Sequence, residues 1–62
     1  MNNIEKIAKK KRITSTEIID ATRIGRSHFY DIRAGRVLPR IDTAWKIAEF
    51  LNVNINTLFP NK

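Results

Sequence analysis

A chain of 62 residues without cysteine has room for one domain, and for no disulfide framework, thiolate metal site or cysteine nucleophile. Twelve Lys and Arg against six Asp and Glu give a formal net charge of +6 and a pI of 10.4. Such a surface is drawn to polyanions, nucleic acid first and an acidic membrane second, although charge also serves solubility. No apolar run exceeds two residues, which argues against a transmembrane helix and a signal-peptide core and leaves a cytoplasmic protein as the expectation.

Apolar residues recur at spacings of three and four between sparse punctuation at Gly25, Gly35, Pro39 and Pro60, so every element is predicted to be helical. The first helix should run from about Asn3 to Lys11, with Ile4, Ile7 and Ala8 inward and Asn2 or Asn3 as cap. Lys9, Lys10, Lys11 and Arg12 complement the dipole at its end and need no phosphate to explain them.

The second helix, Ser15–Thr22, starts with a capping box, Thr14 and Glu17. Ile13 before that cap and Ile18 after it form a hydrophobic staple. The staple spacing returns at Ile24 and Phe29 around Gly25, and at Val53 and Leu58 around Asn54, placing helices at Arg26–Ala34 and Ile55–Phe59. Gly35 suits the left-handed position just past a helix end. A helix after Pro39 carries the stripe Ile41, Ala44, Ile47, Ala48 and Leu51, with Trp45 at its margin. Five short helices make an all-α single domain over residues 1–62.

The second and third helices, separated by Arg23, Ile24 and Gly25, have the helix-turn-helix pattern over about residues 15–34. The stretch ITSTEIIDATRIGRSHFYDIRAGRVLPRIDTAWKIAEFLNVNINTLF, Ile13 to Phe59, resembles the Cro/CI-type (Xre-like, lambda-repressor-like) DNA-binding domain. Its tail PRIDTAWKIAEFLNVNINTLF is especially similar to that family. The chain departs from the family pattern at Ser15, where Gln is frequent, at Ile19, where a small residue is usual, and at Arg23, where Gly is usual. Ala8 and Arg33 stand where many members pair an Arg with a Glu, so both partners of that pair are missing together.

The resemblance implies a third helix that enters the major groove. With Phe29 and Ile32 inward, Ser27, Tyr30 and Asp31 are expected to point away from the core, with Arg26 at the tip and His28 and Arg33 on the flanks. The candidate base contacts are Arg26, Ser27, Tyr30 and Asp31. Arg26 can bond guanine O6 and N7 together. Asp31 either accepts from cytosine N4 or pairs with an Arg of its own chain. Candidate phosphate contacts are Thr14 and Ser15 at a helix start, His28, and the loop residues Arg36 and Arg40. About four to six neutralised phosphates per subunit would give a log–log salt slope of about −4 to −5.

The resemblance further implies a homodimer on a near-palindromic operator in double-stranded DNA, in a bacterial or phage-encoded regulator. Trp45, Val53, Phe59 and Pro60 are candidate subunit contacts, with Leu58 more suited to the core. No cofactor is implied. A lone His makes no metal site, and adjacent Ser27 and His28 diverge by about 100° on a helix, so no catalytic function is expected. The alternative is an antitoxin-like or anti-repressor adaptor on the same fold, and nonspecific packaging of nucleic acid is a third.

Overall fold

A computed structural model describes residues 2–60. Five helices follow one another: α1 (Ile4–Lys11), α2 (Ser15–Thr22), α3 (Arg26–Arg33), α4 (Ile41–Leu51) and α5 (Ile55–Leu58). There is no strand among the described residues. The all-α class and the helix order agree with the sequence. Three expected ends move by one residue, because Asn3, Ala34 and Phe59 are flanking caps and not helical positions.

The local chemistry explains the starts and stops. Thr14 and Glu17 make the full capping box: Thr14 Oγ1 accepts from the Glu17 amide at 3.1 Å, and Glu17 Oε1 accepts from the Thr14 amide at 2.8 Å. Asn54 caps α5 by accepting from the Asn56 amide at 2.8 Å. Asn2 serves α1, since its Oδ1 accepts from the Ile4 amide at 3.0 Å while its Nδ2 donates to the Ile32 carbonyl at 2.7 Å. Three helices end on a non-glycine residue in the left-handed region: Arg12, Arg23 and Asn52, with φ of 61°, 62° and 58°. Gly35 also takes positive φ, 82°.

α4 is the central element and packs against α1, α2 and α5. Ile4, Ile18, Phe29, Ile32, Ile47, Leu51 and Leu58 are the largest side chains fully removed from water. Each such side chain contributes roughly 1.5–3 kcal/mol. Each staple residue packs as expected, with Ile13, Ile24 and Val53 partly buried against this cluster. Ile19 and Ala8, two of the unusual residues, are both buried. The inner stripe of α4 is Ala44, Ile47, Ala48 and Leu51 only. Ile41, expected to belong to it, is 69% exposed, because it sits in the first turn, where α4 emerges from the Leu38–Arg40 loop. The two ends of the fold are tied: the Asn3 amide donates to the Leu58 carbonyl at 2.9 Å, and Asn3 Nδ2 to the Thr57 carbonyl at 2.8 Å.

Candidate nucleic-acid interface

α3 is held by Phe29 and Ile32, both 0% exposed, which fixes its rotation about its axis. Arg26, Ser27 and His28 then stand exposed in its first turn. Gly25 precedes them as an N-cap without a side-chain bond, so the first amides of α3 are left without a side-chain cap. Arg23 keeps the left-handed turn between α2 and α3 that glycine usually supplies, so the turn geometry survives the substitution.

The second half of α3 is occupied by contacts within the chain. Tyr30 does not point clear of the core: its ring is half-buried and meets Phe29 edge-to-face at 5.7 Å and 71°. The guanidinium of Arg33 lies 5.2 Å from the centre of the same ring. Arg33 Nη1 also donates to Ser15 Oγ at 3.0 Å, which joins the end of α3 to the start of α2. Asp31 takes the intrachain partner of its two expected roles, with Oδ1 accepting from Arg36 Nε at 2.8 Å. Its carbonyl accepts from the Arg36 amide at 2.9 Å. One residue therefore pins the loop after α3 by side chain and backbone together.

The candidate phosphate contacts differ in their surroundings. Thr14 is exposed but its hydroxyl is engaged in the capping box, whereas Ser15 is half-buried at the first position of α2. His28 is exposed beside Ser27. Arg36 is paired with Asp31, and Arg40, at the start of α4, lies only within 4.0 Å of Asp42 with both side chains largely exposed. The candidate subunit contacts separate. Phe59 and Pro60 line an apolar groove with Leu38, Ile41 and Ile55. Trp45 is 57% exposed one turn after Ile41. Val53 is packed against the core, and Leu58 is fully buried.

Two features of this surface were missed in the sequence: the Arg33–Ser15 bond and the exposure of Leu38, 89%, and Ile41. An apolar Leu38 between two arginines in a loop was a readable signal for the second. The first arises only when α2 and α3 are packed.

A sequence model of the Cro/C1-type HTH DNA-binding domain matches residues 3–60. The chain belongs to this family. No curated protein matches it closely enough to count as a relative. In this Cro/C1-type domain, α2 and α3 form the helix-turn-helix, and DNA binding is the function that the family assigns. No helix of the described residues is long and apolar enough to cross a membrane. No group of three or more His, Asp or Glu side chains suited to a metal ion occurs among them.

Proposed function

We propose that the chain is a sequence-specific transcriptional regulator that occupies an operator with the first turn of α3 in the major groove. The observation that carries this is the exposed trio Arg26, Ser27 and His28, set on a helix whose rotation is fixed by two fully buried anchors. Arg26 is the principal base reader and Ser27 a permissive one. Tyr30 and Asp31 act chiefly by shaping the surface, because their side chains are engaged within the chain. Ser15, Arg36 and Arg40 flank the trio and supply backbone contacts, with Thr14 and His28 beside them.

A homodimer on DNA is part of this reading, and the dimensions of one copy are compatible with it. The domain extends 28 × 22 × 18 Å, so one copy spans less than the about 34 Å between successive half-sites. Two copies meeting side by side would bridge that distance. The exposed side chains Leu38, Ile41 and Pro60, with the half-buried Phe59 beside them, are the surface suited to that meeting. Binding without catalysis or cofactor, and cytoplasmic residence in a bacterium or phage-infected cell, belong to the same reading.

Selection from a random duplex pool at about physiological salt tests it, since nonspecific contacts are weakened there. Enrichment of a near-palindrome is expected, with one guanine whose preference disappears in Arg26→Ala at a loss of about 1–3 kcal/mol. An unenriched pool would reject operator reading. One observation favours a second reading: the Leu38–Ile41 face could equally receive a different protein, as in an adaptor. An adaptor would keep its partner in Arg26→Ala.

A further inference from the structure

We propose that Arg33 is a positioning residue of the duplex-facing surface: it sets the Ser15 hydroxyl and the Tyr30 ring so that the start of α2 and the face of α3 meet one duplex as a unit. The proposal rests on the DNA-binding reading above and names a residue that operator contact depends on without touching the bases.

The direction of the Arg33–Ser15 bond is fixed by chemistry. A guanidinium has donors and no acceptor, so Ser15 Oγ accepts from Nη1 at 3.0 Å. The single hydroxyl hydrogen of Ser15 is then directed elsewhere, and no group among the described residues accepts it. Ser15 is only half-buried, so that hydrogen is available to an acceptor arriving from solvent. A phosphate oxygen accepts and cannot donate, and fits this preset polarity. An unrestrained serine hydroxyl would have to be oriented on binding.

The same guanidinium acts on Tyr30. It lies 5.2 Å from the ring centre, and Phe29 meets that ring at 5.7 Å. Tyr30 is thus held between a cation and a buried aromatic, and the direction of its hydroxyl is set by both. Arg33 itself has no carboxylate within ion-pair distance among the described residues. It also reaches the N-terminal end of α2, where a cation is disfavoured by the dipole. A half-buried cation in that place gains when an anion is bound to its partner Ser15, which ties its position to ligand binding more than to folding. Lysine could not replace it, because one ammonium cannot hold a planar contact with the ring and a directed bond to the hydroxyl together.

The test is binding to a mixed-sequence duplex of about 20 base pairs over a series of salt concentrations. It compares the native chain with S15A, R33M, R33K and the double variant R33M/S15A, each with its melting curve. S15A and R33M should each weaken binding about tenfold, the size of one charge-assisted hydrogen bond, and the double variant should be no weaker than R33M. R33K should lose as much as R33M although it keeps the charge. The salt slope should change by less than one throughout, since no charged phosphate contact is removed. Native affinity in R33K, or losses that multiply in the double variant, would overturn the proposal. So would a slope reduced by about one in R33M, which would make Arg33 a direct phosphate ligand. If R33M melts below the assay temperature, R33K and R33K/S15A take the places of R33M and R33M/S15A in the same cycle. A native chain that fails to bind at low salt overturns the DNA reading and this proposal together, whereas a native chain that binds with multiplying losses overturns this proposal alone.

Discussion

Asp31 shows how one residue can shape a surface through a partner in its own chain. Its ion pair with Arg36 is short, but the two side chains are 43% and 62% exposed, so the pair contributes under about 1 kcal/mol to stability. Its larger effect is on charge: the carboxylate offsets a cation that a phosphate would otherwise meet. Asp31→Asn should therefore strengthen binding to mixed-sequence duplex a few-fold at low salt and steepen the salt slope by up to about one, as read by titration at several ionic strengths. Loss of preference at a single cytosine in that variant would instead return Asp31 to base reading. Both roles were visible in the sequence, because a carboxylate five residues before an arginine suits either. Packing had to choose between them. The ring of Tyr30 was less legible: helical spacing placed it outward, but a large side chain beside Phe29 leans onto the core.

At the scale of elements, the turns carry most of the unusual chemistry. Arg23 holds a left-handed conformation with φ of 62°, which costs a side-chain-bearing residue about 1 kcal/mol. Gly25, by contrast, has an ordinary φ of −59°, and a Cβ placed there would meet only His28 Cβ at 4.0 Å. Exchanging the two preferences should help twice. Arg23→Gly and Gly25→Ser should each raise stability by up to about 1 kcal/mol, the second by adding a cap to α3. Gly35→Ala should lower it by about 1 kcal/mol despite the open space around it, because its φ is 82°. Thermal melts decide all three, at about 4–8 °C per kcal/mol for a domain of this size. The caps and staples were legible because they are contacts within six residues of sequence. Ile41 was not: periodicity gives the spacing of a stripe, but only the path of the preceding loop decides whether its first member reaches the core.

For the molecule as a whole, pairing and closure are the issues. Leu38 is 89% exposed, so Leu38→Asp should leave the melting temperature within a few degrees while weakening self-association, read by sedimentation at increasing concentration with and without duplex. Unchanged association would move the subunit contact away from that groove. The fold class and helix order could be seen in the chain because each rests on local patterns. Contacts between the two ends could not, because nothing short-range encodes a bond from Asn3 to a residue 54 positions on. That bond has an engineering consequence. With Asn3 already seated on Thr57 and Leu58, a peptide ring closed by a short spacer between the ends of residues 2–60 needs no rearrangement of their fold. Cyclisation would remove unfolded-state freedom much as a long-loop crosslink does, adding up to about 4 kcal/mol. The ring should melt well above the linear chain at equal duplex affinity, turning a small domain without disulfides into a durable scaffold for the same exposed face of α3.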